Sequence, residues 1–251
     1  MYSVTIPPIG SARAWRRAAS AALAARIPPA EVRWSLAGAE AEPVESRPLP
    51  EAVRPVRVAA RFLALADTVV WHRETACLAD LYALLWRLRQ DPALIEDDTD
   101  PALSALRERA RQVSRCQRRL RTGLRFVSLP ADVRRDGGPH LAARVAPAHR
   151  TLEPLAPILA RRFDSMDWTI LSPDLTLRFE AGVLTLHPGS PAPGRAASAP
   201  VGAPTDSLQA ALEQHVSRKS APRPARGGAG KRPQPVADLL SLIDGTAARD
   251  G

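Results

Sequence analysis

The sequence predicts an α+β protein, in which an antiparallel sheet at the C-terminal end of one domain packs with amphipathic helices and a disordered tail follows. Apolar residues recur at helical spacing in two stretches, from Val58 to Val69 and from Leu78 to Leu88. Short alternating segments separated by turn residues lie between Trp168 and His187, which is typical of an antiparallel meander. After His187 the chain is rich in Pro and Gly and loses its apolar pattern, which predicts disorder.

Local signals predict the other elements. Tyr2 to Ile6 and Val32 to Leu36 alternate as strands do, and we expect Ser11 to cap an Ala-rich helix. Asp100-Pro101 predicts the start of a long helix, because Asp is a good N-cap and Pro is tolerated at the first helical position. The remaining predicted elements are a helix over Thr151 to Met166 and strands over Leu124 to Leu129, His140 to Val145, Trp168 to Leu171, Leu175 to Phe179 and Val183 to His187.

These elements divide the chain into three predicted parts. Residues 1–187 form the α+β domain, residues 188–235 form a disordered Pro/Gly/Arg-rich linker, and residues 236–251 form a short apolar peptide. A chain of 251 residues is long enough for one core to bury about 70% of the unfolded surface. No disulfide or metal is therefore needed for folding.

Bulk properties predict a cytoplasmic protein that meets polyanions. The net charge is +9 and the isoelectric point is near 10.9, which favours nucleic-acid partners. The two cysteines, Cys77 and Cys116, lie far apart in the sequence and favour a reducing compartment over a disulfide scaffold. The longest apolar run, Phe62 to Trp71, is far below the roughly 18 residues of a membrane span, so no membrane association is predicted.

One segment, residues 107–125, concentrates the positive charge, with Glu108 as its only acid. Its arginines are Arg107, Arg109, Arg111, Arg115, Arg118, Arg119, Arg121 and Arg125. Like charges at helical spacing repel each other, and phosphate would relieve that repulsion because guanidinium binds it bidentately. The segment therefore predicts a nucleic-acid interface. The alternative is a solvated face, or one paired with the acidic run Glu96-Asp97-Asp98.

A second basic and aromatic cluster combines Arg161-Arg162-Phe163 with Trp168 and His149. Its arginines could bind nucleic acid and its rings could stack bases, although such aromatics are more often core residues. His149 and Asp174 are the best candidates for a catalytic acid–base pair, with a loop hydrogen bond as the alternative for His149. The two cysteines and five histidines show no paired zinc spacing, so neither a metal site nor a cofactor is predicted.

Several segments in order resemble a bacterial domain of unknown function that is assigned to DNA metabolism or repair. The likeness spans roughly residues 11–187. The segments that carry it are Trp15-Arg16-Arg17-Ala18, Ile27-Pro28-Pro29-Ala30-Glu31-Val32, Phe62-Leu63-Ala64-Leu65, Leu81-Tyr82-Ala83-Leu84-Leu85-Trp86-Arg87-Leu88, Ala160-Arg161-Arg162-Phe163 and Trp168-Thr169-Ile170-Leu171-Ser172-Pro173-Asp174. That domain is found fused ahead of UdgX-type uracil-DNA glycosylases, or alone beside the gene of a DNA-modifying radical SAM protein.

The resemblance implies a DNA context and a glycosylase or radical SAM partner. This chain departs from the family pattern at two places, because Ala146-Pro147-Ala148-His149 stands where a Glu-Pro-Glu-His run is usual and Arg118 stands where a histidine is usual. The glycosylase domain is also absent from this sequence. Chemistry that depends on those family residues is therefore in doubt, which favours an accessory role.

The last apolar stretch, Leu239-Leu240-Ser241-Leu242-Ile243, is similar to peptides that dock into the bacterial sliding clamp. The usual first Gln and final Phe of those peptides are missing. Leu239, Leu240, Leu242 and Ile243 are therefore candidate partner-binding residues, and a terminal helix without a role is the alternative.

Three hypotheses follow from the sequence. The first is a non-catalytic DNA-repair accessory protein that binds nucleic acid through the Arg-rich helix and supports a partner enzyme. The second is an enzyme that acts on a damaged or modified base. The third is an adaptor that binds a protein partner through its C-terminal peptide.

Overall fold

The computed structural model describes residues 1–38, 47–50, 57–129 and 140–189. Within these residues the chain forms five α-helices and seven strands, so the α+β prediction is confirmed. The chain divides into two compact units. Unit 1 holds residues 1–122 and the short segment 147–151, and unit 2 holds residues 123–146 and those from 152 onward. The predicted extent of one domain over residues 1–187 stays a prediction.

Unit 1 begins with two strands joined by a helix. The strands are β1 (Tyr2–Ile6) and β2 (Val32–Leu36), and the helix between them is α1 (Ser11–Ala24). β1 and β2 pair in parallel, with Tyr2 opposite Val32. A parallel pair needs a long crossover connection, which α1 supplies.

The described part of unit 1 has three further helices. They are α2 (Ala60–Val69), α3 (Ala76–Leu88) and α4 (Pro101–Gly123), of which α4 ends at the first residue of unit 2. α2 and α3 contact each other. Each helix buries one face because its apolar residues recur every three or four positions.

The core of unit 1 is built around large rings that also satisfy their polar atoms. Trp15 is 1% exposed, and its indole N–H donates to the carbonyl oxygen of Leu78 at 3.1 Å. The buried hydroxyl of Tyr82 donates to the carbonyl oxygen of Ile27 at 2.6 Å. These hydrogen bonds remove the cost of burying a polar atom while the rings contribute large apolar areas.

The start of α1 differs from the prediction that Ser11 caps it. The N-cap residue is Gly10, at φ 78°, and no side chain caps the helix. The Ser11 hydroxyl instead donates to the carbonyl oxygen of Pro7 at 2.7 Å. Gly10 makes the sharp entry because glycine adopts positive φ without a steric cost, and this leaves Ser11 inside the first turn.

The start of α4 confirms the Asp-Pro prediction. Asp100 Oδ1 accepts a hydrogen bond from the backbone N–H of Leu103 at 2.8 Å, and Pro101 is the first helical residue. The same carboxylate binds Arg87, whose Nη1 lies 3.2 Å from Oδ1. One buried carboxylate therefore caps α4 and ties it to the end of α3.

The described residues of unit 2 form a five-stranded sheet and one helix. Its strands are β3 (Val127–Leu129), β4 (His140–Arg144), β5 (Asp167–Leu171), β6 (Leu175–Glu180) and β7 (Val183–Pro188), and they lie in this order across the sheet. The predicted meander of β5, β6 and β7 is confirmed as antiparallel. β4 and β5 pair in parallel, with α5 (Leu152–Arg162) between them in the chain.

No helix among the described residues has both the length and the apolar character that crossing a bilayer requires. The predicted linker beyond residue 189 and the C-terminal peptide lie outside the described residues.

Candidate functional site

The first half of the arginine stripe on α4 is paired with acids. Arg107 binds the carboxylate of Asp98 and donates to the carbonyl oxygen of Ile95 at 3.0 Å. Arg109 binds Asp80 of α3 and lies 3.7 Å from a carboxylate oxygen of Glu74. Both guanidinium groups are therefore neutralised by partners within unit 1.

A single acid neutralises the middle of the same helix. The two carboxylate oxygens of Glu108 accept hydrogen bonds at 2.8 Å, one from Arg115 and one from Arg111. These two hydrogen bonds lower the pKa of Glu108, so the carboxylate is charged at neutral pH. Two positive charges thus share one negative charge.

Two arginines near the end of α4 differ from those before them. Arg118 and Arg119 are exposed, and neither forms an ion pair with an acid in the part of the chain that the structure describes. Arg121 is exposed in the final turn. We call Arg118, Arg119 and Arg121 the basic end of α4. Arg125, the first arginine of unit 2, is exposed and its guanidinium donates to the carbonyl oxygen of Leu124 at 3.4 Å.

The arginines and aromatic rings of the second predicted cluster lie in unit 2, where Arg161 and Arg162 form the last turn of α5 and are exposed. The guanidinium of Arg162 lies 5.3 Å from the ring centre of Phe163. Trp168 is fully buried, donates to the carbonyl oxygen of Phe163 at 3.1 Å and stacks on Phe179. Because Trp168 has no exposed face, its ring cannot stack a base.

His149 belongs to unit 1, in the segment 147–151. Its ring lies 4.4 Å from that of His72, and its Nδ1 accepts a hydrogen bond from the backbone N–H of Arg73 at 3.4 Å. Partial burial, and then the nearby His72 and Arg73, lower the pKa of His149. The ring is therefore neutral at physiological pH.

The segment around His149 is held to the turn after α2 by two arginines. The guanidinium of Arg73 donates to the carbonyl oxygens of Ala148 at 2.9 Å and Pro147 at 3.1 Å. Arg150 donates in return to the carbonyl oxygens of Val70 at 2.8 Å and His72 at 3.2 Å. Asp174, the proposed partner of His149, belongs to unit 2, in the turn between β5 and β6.

Sequence reasoning missed a cluster formed by His72, Glu74 and Cys77. His72 Nδ1 lies 3.3 Å from Cys77 Sγ, and the backbone N–H of Glu74 donates to the same nitrogen at 3.2 Å. His72 Nε2 lies 3.0 Å from Gln112 Oε1. Burial raises the pKa of the Cys77 thiol to about 11, so it is not an activated nucleophile. The only hint of this cluster in the sequence is the spacing His-x-Glu-x-x-Cys across the start of α3.

The candidate partner-binding residues Leu239, Leu240, Leu242 and Ile243 lie outside the described residues, so their role stays a prediction.

Fold and site together define an α+β protein with a partly neutralised arginine helix. A family model, that of the domain of unknown function DUF4130, matches residues 75–220, which is more than half of the chain. The chain therefore belongs to the DUF4130 family. The matched range contains α4, His149 and Cys77, and it begins just after Glu74. No curated protein and no solved structure matches the chain.

Proposed function

We propose that this protein is an accessory protein of DNA repair or DNA metabolism that binds nucleic acid through the basic end of α4. The supporting observation is a difference along one helix. The arginines from Arg107 to Arg115 have acid partners, whereas Arg118 and Arg119 are exposed and have none among the described residues. Phosphate oxygens are the natural ligands for two such guanidinium groups.

The end of α4 carries more positive charge than is needed to offset the helix dipole. The C-terminus of a helix carries about half a negative charge, which one basic residue in the last turn offsets. Arg121 occupies that turn, and Arg118 and Arg119 add two further charges one turn earlier. The surplus attracts a polyanion, and it lies in the described part of a chain with net charge +9.

Arg161 and Arg162 at the end of α5 are a second exposed basic pair, in unit 2. They can bind phosphate in the same way. Arg107, Arg111 and Arg115 contribute less in this proposal, because a phosphate must first displace the carboxylate that each one holds. Exposed ion pairs of this kind contribute at most about 1 kcal/mol, so a phosphate can displace the carboxylate, but the affinity for nucleic acid is lower as a result.

The DNA context and the partner rest on the resemblance described above. In this proposal the protein positions a radical SAM or glycosylase partner on DNA. The altered positions Ala146, Ala148 and Arg118 favour an accessory role, because they replace the acids and the histidine of the family pattern.

A complementary pull-down compares the full chain with a Leu239→Ala/Leu240→Ala variant, and loss of the partner in that variant would favour the adaptor hypothesis.

Fluorescence anisotropy with labelled single-stranded and duplex DNA, measured against salt, tests the proposed interface. We expect binding at low salt and a linear fall of log K with log salt concentration. Arg118→Ala/Arg119→Ala removes two phosphate contacts, so the duplex slope should become shallower by about 1.8.

Arg111→Ala/Arg115→Ala is the matched control, because it removes the same charge from the same helix at two arginines that already hold the carboxylate of Glu108. We expect the control to bind more tightly than Arg118→Ala/Arg119→Ala. Equal losses in the two variants, or no binding by the wild type at micromolar concentration and low salt, would reject the interface.

The second candidate is an enzyme that acts on a damaged or modified base. One observation favours it, namely that His149 is partly buried with a lowered pKa and so is neutral at physiological pH, as a general base must be. This candidate predicts that the protein processes uracil-, alkyl- or abasic-containing oligonucleotides and that His149→Ala abolishes the reaction. Asp174→Asn tests the predicted partner in the same assay.

A further inference from the structure

Three side chains with metal-ligating atoms converge where the chain enters α3. His72 and Glu74 lie in the turn before the helix, and Cys77 is its second residue. Their candidate ligand atoms, an imidazole nitrogen, a carboxylate oxygen and a sulfur, all lie within 4.8 Å of one another. His72 and Cys77 are buried at 5% and 1% exposure, whereas Glu74 is exposed.

The hydrogen bonds of His72 fix which of its nitrogens can bind a metal. Because the backbone N–H of Glu74 donates to Nδ1, that nitrogen carries the lone pair and Nε2 carries the hydrogen. The Nε2 hydrogen is donated to Gln112 Oε1, at 3.0 Å. Metal-binding histidines nearly always donate their other N–H to an oxygen acceptor in this way, which orients the ring and raises its basicity.

We infer that His72 Nδ1, Cys77 Sγ and the carboxylate of Glu74 form a binding site for one zinc ion. Nitrogen, sulfur and carboxylate oxygen are the ligand atoms that zinc takes in proteins, and three protein ligands leave a fourth position for water. Binding forms bonds from zinc to Nδ1, Sγ and a Glu74 oxygen. It breaks the S–H bond of Cys77, whose proton leaves to solvent, and the hydrogen bond from the Glu74 N–H to Nδ1, and no atom changes oxidation state.

The distances suit this ion after small adjustments. In a tetrahedral site the bond lengths place nitrogen and sulfur about 3.6 Å apart, and His72 Nδ1 and Cys77 Sγ are 3.3 Å apart in the structure. Glu74 makes the larger movement, and its side chain is 64% exposed, so rotation meets little resistance.

The charges also balance. A thiolate and a carboxylate together neutralise Zn²⁺, so the occupied site places no net charge beside the core of unit 1. Arg109 lies 3.7 Å from Glu74 and would lose that contact on zinc binding. It retains its hydrogen bond to Asp80, so its guanidinium is not left without an acid partner.

Titration of the reduced full-length chain with Co²⁺, followed by displacement with Zn²⁺, tests this site. A thiolate–cobalt bond gives a charge-transfer band in the near ultraviolet that other ligands do not give. We expect the band to saturate at one ion per chain. The sequence has two cysteines, so Cys77→Ser should abolish the band and Cys116→Ser, the matched control, should keep it.

A second pair of variants tests the same site without touching the core. Gln112→Ala removes the acceptor of the His72 N–H and should weaken zinc binding about 10–100-fold, whereas Gln117→Ala on the same helix should leave it unchanged. Circular dichroism checks that each variant folds. Absence of a saturable band in the wild type, a band that survives Cys77→Ser, or equal zinc affinity in the two glutamine variants would overturn the inference.

Discussion

At the scale of single residues, Asp100 combines two stabilising contacts in one side chain. It is 8% exposed, caps α4 through the N–H of Leu103 and binds Arg87. The hydrogen bond from Arg87, followed by that from Leu103, lowers the pKa of Asp100. A carboxyl with a lowered pKa in the folded state stabilises the fold only while it is charged.

Asp100→Ala should therefore lower the free energy of unfolding by about 1–2 kcal/mol at neutral pH, the usual cost of losing an N-cap. Because the folded-state pKa is lowered, the difference from wild type is fully present above about pH 4 and disappears as the pH falls through the folded-state value. Urea denaturation at several pH values measures it. Asp98→Ala, at an exposed ion pair with Arg107, is the control and should cost less than about 1 kcal/mol. A difference that grows in acid would contradict this assignment.

Residue roles were predictable where the chemistry is local. The cap at Asp100 follows from two adjacent residues, Asp and Pro. The role of Arg109 was not predictable, because its partner Asp80 lies on another helix and their contact depends on how α3 and α4 pack. His72 was missed for a similar reason, since only the structure shows that its Nδ1 faces Cys77.

At the scale of elements, two glycines at helix ends have different backbone conformations. Gly10 has a φ of 78° at the entry to α1, whereas Gly123 ends α4 with an ordinary negative φ. A Cβ atom added at either position would meet no atom within 4 Å. Any effect of a methyl group at these positions is therefore conformational.

Gly10→Ala should destabilise the protein by about 1–2 kcal/mol, because an L-residue pays that cost at positive φ. Gly123→Ala is the same chemical change in a helix and should stabilise the protein by up to about 1 kcal/mol. Thermal and urea denaturation of the two variants measure the difference. Equal effects of the same sign would show that these backbone conformations are wrong.

The positions of most elements were predictable from periodicity, but strand direction was only partly so. The tight turn at Ala181-Gly182, where both residues have positive φ, forces β6 and β7 to be antiparallel. The parallel pairs, β1 with β2 and β4 with β5, are each separated in sequence by a helix. A strand–helix–strand order in the sequence indicates a parallel pair. The predicted antiparallel sheet left this order out of account, so the two parallel pairs were missed.

At the scale of the whole molecule, the net charge of +9 indicates a polyanion partner but not the surface that binds it. The structure separates the arginines that hold acids from Arg118 and Arg119. The sequence could not do so, because the partner of Arg109 lies on another helix and the sequence does not show which arginines Asp98 and Glu108 bind. The position of the arginines and the net charge of the chain lead to different predictions for DNA binding. If the net charge alone governs affinity, the loss of two arginines has the same effect wherever they lie.

The most direct test compares two variants of equal net charge in salt-dependent anisotropy with duplex DNA. Arg118→Ala/Arg119→Ala removes two arginines from the basic end of α4, and Arg223→Ala/Arg226→Ala removes two from the C-terminal segment. We predict that only the first variant loses affinity strongly and that its salt slope is shallower by about 1.8. Equal slopes and equal affinities in the two variants would contradict the proposal that the basic end of α4 binds nucleic acid.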